Sequence, residues 1–351
     1  MSSMAFLSSV PAGSFAVSRA PQPSASTRRA PRNTITMGGN IREMRNRITS
    51  VKNTQKITDA MRLVAAAKVR RAQDAVLRTR PFSETLQKVL GGLLIRIGPE
   101  AADIPLLKER PVKNVVVVVV TGDRGLCGSY NSYAIKKATA RVAELKAEGV
   151  EAEMITIGKK GHLWFKSRES IRRDFECGQA PNAEQATAIT EELLAEYLSG
   201  EVDRVELIYT RFVSLISSEP AIRTLLPLSP TGIETSEDEL FQLTTRGGKL
   251  AVETGSSPAA EPEKFPRDMI FEQDPEQMLS ALLPLYLNGQ VLRALQESVA
   301  AELASRMSAM SSASDNAKNL KKDLSIEYNR VRQAGITQEL MEIVAGAAAL
   351  G

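Results

Sequence analysis

Residues 292–331 read LRALQESVAAELASRMSAMSSASDNAKNLKKDLSIEYNRV, and their spacing decides the architecture of the chain. Leu292, Leu295, Val299, Leu303, Met307 and Met310 recur at three- and four-residue steps, continued by Ala313, Ala317, Leu320, Leu324 and, two turns on, Val331. Such a stripe stays on one side of an α-helix when the helix supercoils with a partner. The helical pattern runs from Pro275 to about Leu350, ~110 Å at ~1.5 Å per residue. Asp274 is placed to cap it, Pro275 takes the first helical position, and Pro284 is expected to bend it early. Residues 39–98 supply the partner helix through Ile41, Met44, Ile48, Val51, Ile57, Met61 and Val64. Asn40 is expected to cap that helix, and Pro81 threatens to break it. A rod of this length suits a shaft better than a globular catalyst.

Between the rods, residues 111–228 alternate strand and helix. Asn114–Val120 reads as a buried strand, followed by the turn Thr121-Gly-Asp-Arg-Gly-Leu-Cys-Gly128 and a helix to about Glu148. Glu153–Ile157 and Val202–Ser214 are further strands, with an Asn182-capped helix before the latter. Ala221–Leu228, flanked by Pro220 and Pro227, fits a sheet edge. This is an open, Rossmann-like α/β domain. Residues 229–271 form an insert in which Glu239–Thr245 and Lys249–Glu253 make a β-hairpin around Arg246-Gly-Gly248, before a Gly-, Ser- and Pro-rich loop. The fold class is therefore α/β plus a long coiled coil of the two terminal helices, with the coil segments at 39–98 and 274–351.

The first 37 residues hold eight Ser and four Arg but no Asp or Glu. Such a leader, assigned to 1–38 with cleavage near Thr36–Gly39, reads as an organelle transit peptide. The valine run is far too short to span a membrane. Two cysteines outside any CxxC and a single histidine, His162, exclude a disulfide scaffold, a Cys-based zinc centre and a His-rich metal site. No metal, cofactor or disulfide is expected.

The Thr121–Gly128 turn has glycines as Gly-x-x-Gly-x-x-Gly and no Gly-Lys-Ser/Thr, so it is neither a dinucleotide fingerprint nor a phosphate loop; Gly158-Lys-Lys-Gly161 also fails. One histidine without a nucleophile motif assembles no catalytic triad. Cys127, between a strand and a helix N-terminus, is a reactive-thiol candidate because that position lowers a thiol's pKa; its alternative is a packed, inert thiol. Eleven Lys or Arg against three acids between Arg42 and Arg80 make the first rod cationic. Interleaved with an apolar stripe rather than stacking aromatics, they suit an acidic protein surface. A nucleic-acid-binding or scaffold coiled coil is the alternative.

Three stretches carry a resemblance: Ile41–Lys68 (IREMRNRITSVKNTQKITDAMRLVAAAK), the Thr121–Gly128 turn, and Ile336–Ala347 (ITQELMEIVAGA). Together they resemble the gamma subunit of the rotary ATP synthase, in its plastid form. The resemblance implies an antiparallel pairing of the terminal helices inside a ring of three alpha and three beta subunits. The middle domain would stand near the epsilon subunit and the membrane proteolipid ring, with the delta subunit in the same complex. The implied role is a central rotor coupling proton flow to conformational change at the catalytic beta subunits and regulating ATPase activity, non-catalytic alone. The implied place is peripheral to the thylakoid membrane on the stromal side. By motif, coupling contacts to beta fall on Arg332, Gln333, Thr337 and Glu339, with Met61 and Arg306 in neighbouring segments, and Cys127 matches the reactive thiol of plastid members. The insert resembles the extra segment of photosynthetic forms. It lacks the cysteine pair of plant members, which points to an algal-type plastid.

Overall fold

The computed structural model describes residues 37–97, 105–108, 110–215, 217–228, 241–246, 249–254 and 273–350. The leader, the Gly247-Gly248 turn and the loop after the hairpin lie outside the described residues.

Two helices dominate: α1, Met37–Ile97, and α5, Pro275–Leu350, of 61 and 76 residues. They pack against each other. Antiparallel contact is evident from Gly335, near the end of α5, which lies against Ile41 at the start of α1, and from the mid-helix hydrogen bond of Ser314 Oγ to Asp59 Oδ1 at 2.8 Å. The seam on α1 corrects the expected stripe. It runs through Met44, Ile48, Val51, Gln55, Thr58, Arg62, Ala65, Val69, Ala72 and Val76, in unbroken four- and three-residue steps, and all are buried or half-buried. Ile57 and Val64 instead face outward, 61% and 57% exposed. Heptad phase overrides the hydrophobicity of single residues, and small side chains such as Ala65 let the two backbones approach.

Asn40 does not cap α1, which already begins at Met37, and Pro81 does not break it. Pro81 is exposed, as is Leu77, whose carbonyl the proline leaves unbonded, so water can take over that acceptor. Helix α5 likewise continues through Pro284.

The middle domain comprises β1 (Asn114–Val120), α2 (Tyr130–Ala147), β2 (Glu151–Ile157), α3 (Lys159–Phe165), β3 (Ile171–Phe175), α4 (Ala183–Ser199), β4 (Arg204–Phe212) and β5 (Ser218–Leu226). The strand order is β3-β2-β1-β4-β5, parallel except for the antiparallel edge β5. Sequence reading missed β3 and α3: Ile171-Arg-Arg-Asp-Phe175 is too polar for a buried strand, and β3 is a half-exposed edge. Strand β1 is buried on both faces. Val115, Val117 and Val119 pack with Ala138, Val142 and Leu145 of α2, while Val116, Val118 and Val120 join the cluster that includes α4 and α5 residues. Six consecutive valines are the pattern of a central strand covered on two sides. Asn182 caps α4 by accepting from Gln185 N at 2.9 Å.

The insert's hairpin is present as β6 (Phe241–Arg246) paired with β7 (Lys249–Thr254). Among the described residues no helix is long and apolar enough to cross a membrane.

Candidate functional site: a locked joint and a bare tip

Helix α5 does two different things along its length, and the turn after β1 is where the first happens. Thr121 is fully buried. Its hydroxyl donates to Ile157 O (3.1 Å) and accepts from Gly161 N (2.9 Å). Gly122 N donates to Asn131 Oδ1 at 2.9 Å. The Asp123 carboxylate accepts from Lys159 N (3.0 Å) and Gly178 N (2.9 Å), tying the loops after β2 and β3 to the turn. The polar groups that make this turn look like a ligand loop are thus engaged within the protein.

Helix α5 docks onto the same turn. Ser305 Oγ donates to Cys127 O at 2.7 Å and Arg306 Nη2 to Gly125 O at 3.3 Å, while Arg306 also pairs with Glu302 one helical turn away. Both members of that pair are buried. Two glycines permit the approach. A Cβ on Gly122 would lie 2.8 Å from the Glu302 carboxylate, and one on Gly128, at φ +59°, would lie 3.1 Å from Ser305 Oγ. Further along, Thr210 N donates to Ser298 Oγ (3.3 Å), Arg223 Nη1 to Gln290 Oε1 (2.8 Å) and Asn288 Nδ2 to Thr187 Oγ1 (2.8 Å). Thr79 of α1 closes the set, donating to Gln296 Oε1 at 2.8 Å. These satisfied polar contacts rigidify the joint between the rod and the α/β domain.

Arg306, expected among the coupling contacts to the beta subunits, is buried in this joint, its side chain engaged by Glu302 and the Gly125 carbonyl. Burial raises the Glu302 carboxyl above its ordinary range, opposed by Arg306. Cys127 also departs from expectation. It is 2% exposed, its thiol contacts Asn131 Nδ2 at 3.1 Å, and burial followed by the Glu302 charge raises its pKa rather than lowering it. Cys177 is buried too and pushed up to about 12, chiefly by desolvation. Neither forms a disulfide.

Past Gly335 the helix changes character. Every residue from 336 to 350 is exposed, including Ile336, Leu340, Met341, Ile343, Val344 and Leu350. Fifteen residues make ~22 Å of uncovered helix. Arg332, Gln333, Thr337 and Glu339 are exposed on this stretch or just before it, Thr337 bonding only back to Gln333 O at 2.9 Å. Met61 is half-buried on α1, between the outward-facing Ile57 and Val64. Sequence reading did not single out the tip as bare, although it is visible in hindsight: the apolar pattern of α5 outlasts the start of α1.

A family model for ATP synthase matches residues 40–350. The chain belongs to the ATP synthase gamma-chain family. It is 63% identical over 320 residues to the chloroplastic ATP synthase gamma chain of Trieres chinensis, covering 91% of this chain and 86% of that one. The corresponding chloroplastic chain of Phaeodactylum tricornutum is 61% identical over 327 residues, with 93% and 88% covered. The ATP synthase gamma chain of a Cyanothece species is 57% identical, covering 89% of this chain and 99% of that one. A chain from the Euglena gracilis mitochondrial ATP synthase (OSCP/F1/c-ring, rotational state 3) shares the fold at a TM-score of 0.57 and 20% identity, with 89% and 95% covered. As a gamma chain, the protein is a subunit of the ATP synthase complex and not itself the catalyst. The alternative of a nucleic-acid-binding or scaffold coiled coil is set aside by the family assignment.

Proposed function

We propose that this gamma chain is the central rotor shaft of a plastid proton-driven ATP synthase, and that its two ends carry separate tasks. The observation that carries the reading is the contrast within α5. Its first half is locked to the α/β domain by buried polar contacts, and its last 15 residues present apolar side chains to nothing among the described residues. Large exposed apolar surfaces mark protein interfaces. The tip and the outward face of α1 at Ile57, Leu63 and Val64 suit enclosure by a ring of alpha and beta subunits. The middle domain suits docking to the epsilon subunit and the membrane proteolipid ring, with delta elsewhere in the complex, on the stromal side of the thylakoid membrane.

Coupling then follows from geometry. The shaft is asymmetric, so each rotational position offers a given beta subunit a different surface. A surface that contacts one conformation of that subunit better than another shifts its population by the difference in contact free energy. Arg332, Gln333, Thr337 and Glu339 are the polar groups placed to make such contacts, and Met61 adds an apolar one. The sequence relatives are chloroplastic in two cases, and the acid-free leader agrees with plastid import.

The test is deletion of residues 336–350 in the reconstituted ATP synthase. The shortened chain is expected to assemble and to keep its α/β domain. ATP synthesis driven by a proton gradient is expected to fall severalfold relative to ATP hydrolysis. Undiminished synthesis would overturn the assignment of coupling to the tip. Calorimetric titration of the purified full chain with ATP is expected to show no binding at micromolar concentrations.

A further inference from the structure

The strand order reverses between β1 and β4: from β1 the chain steps outward to β2 and β3, then returns through α4 to lie on the other side of β1. In open α/β sheets, a crevice forms at the carboxyl ends of the strands at such a reversal, and ligands bind there. This domain has that crevice. A cleft of about 400 Å³ is bounded by residues following β1, by the end of β4 and the start of β5, and by α5 across the top.

The lining chemistry is specific. Ser129 and Ser308, both exposed, and the half-exposed Ser218 place hydroxyls around the cleft, and Ser129 sits at the N-terminus of α2 without capping it. Thr210, 3% exposed, forms part of the wall and carries a buried hydroxyl that is unpartnered among the described residues. Burying a hydroxyl unbonded is unfavourable, so the orphaned Thr210 hydroxyl favours a guest that bonds to it, while the accessible serine hydroxyls add further donors and acceptors around the mouth. Tyr133, 52% exposed, offers an aromatic face at the rim, and Glu219 supplies the only carboxylate of the lining among the described residues. Among the described residues no lysine or arginine lines the cleft, which disfavours nucleotides and other polyanions despite the nearby helix N-terminus.

We propose that this cleft binds a neutral polyhydroxylated small molecule of mono- to disaccharide size, its hydroxyls meeting the serines, Thr210 and Glu219 and its ring resting on Tyr133. The volume lies within the range of small-molecule sites. Because α5 and the β4–β5 edge form opposite walls, a bound guest bridges the rod and the domain.

The probes are glucose, sucrose and inorganic phosphate, each titrated calorimetrically into the full-length chain, with hydrogen exchange followed at residues 210–220 and 304–309. Saturable binding of a sugar is expected, with slower exchange in both segments and no binding of phosphate. Tyr133→Ala is expected to weaken sugar binding at least tenfold and Glu219→Gln severalfold. Tyr133 is half-exposed, so its truncation leaves the core intact, which circular dichroism checks. Absence of saturable sugar binding would overturn the proposal. So would phosphate binding instead, which would make the cleft an anion site at the end of α2, or sugar binding that both variants leave unchanged.

Discussion

The two ends of α5 have similar amino-acid patterns and opposite environments. Around Ser298–Arg306, apolar and polar side chains alike are buried: Val299, Leu303, Glu302 and Arg306 are all under 9% exposed. Around Ile336–Val344, side chains as apolar as these are half to two-thirds exposed. What differs is the partner. The first segment has an α/β domain and α1 against it, and the second has run past the end of α1. A helix segment that stays apolar without an intramolecular partner is built for an intermolecular one.

Removing one half of the joint's ion pair tests this contrast most severely. Glu302→Ala leaves Arg306 buried without its carboxylate, a change that typically costs about 3–5 kcal/mol. The expected result is a lower urea midpoint with an unchanged slope. Glu302→Gln is expected to cost less, and its deficit has a pH signature. A carboxyl whose folded pKa is raised favours the fold below the ordinary carboxylate range and loses that contribution as pH rises through the folded value. The wild-type advantage over Glu302→Gln should therefore shrink as pH rises from the ordinary carboxylate range through the raised folded value; an advantage growing with pH would show that Arg306 outweighs burial.

Gly122→Ala is the next step down. Its Cβ would meet the Glu302 carboxylate at 2.8 Å, and the carboxylate is held by Arg306, so relief requires moving α5. Overpacking of this kind costs about 1–3 kcal/mol. A thermal shift indistinguishable from wild type would mean that α5 is looser at the joint than its contacts indicate.

At the tip the order of effects reverses. Arg332→Ala and Gln333→Ala are expected to change the stability of the isolated chain by less than about 0.5 kcal/mol, as exposed substitutions do. In the assembled enzyme each is expected to weaken coupling, since a charge-assisted hydrogen bond to a partner contributes about 1.5–3 kcal/mol. Unfolding curves paired with ATP synthesis rates separate the two. Equal damage to both would erase the distinction between joint and tip.

The smallest effect concerns the thiols. With both pKa values raised and both side chains buried, iodoacetamide at pH 8 is expected to label Cys127 and Cys177 far more slowly in the folded chain than in urea. The stability that Cys177 contributes as a neutral thiol is present below the ordinary thiol range and is lost as pH rises through about 12. Fast native labelling of Cys127 would restore it as a reactive site. Dithiothreitol is expected to leave ATP hydrolysis by the assembled enzyme unchanged through this subunit.

Much of this was legible in the residues. Two long helices follow from periodicity. The central strand follows from six valines, which only a strand covered on both faces can bury. The capped α4 follows from local chemistry that does not depend on distant neighbours, and the prolines mark the next strand as a sheet edge, although β5 begins at Ser218 and takes Pro220 into its ladder. Where tertiary contact decides, the sequence misled. It nominated Ile57 and Val64 for the seam because they are apolar, whereas the phase fixed by α5 buried Thr58 and Ala65. Cys127 was nominated for reactivity from its position before a helix, but the helix that seals it arrives some 180 residues later in the chain. Arg306 was placed among the coupling segments by motif, and nothing in its neighbours along the chain showed that Glu302 and the Gly125 carbonyl would bury it. Periodicity and propensity are properties of a few neighbouring residues and can be read from the chain. Burial, ionisation and the bareness of the tip depend on which distant segment lies alongside, and only the assembled fold sets that.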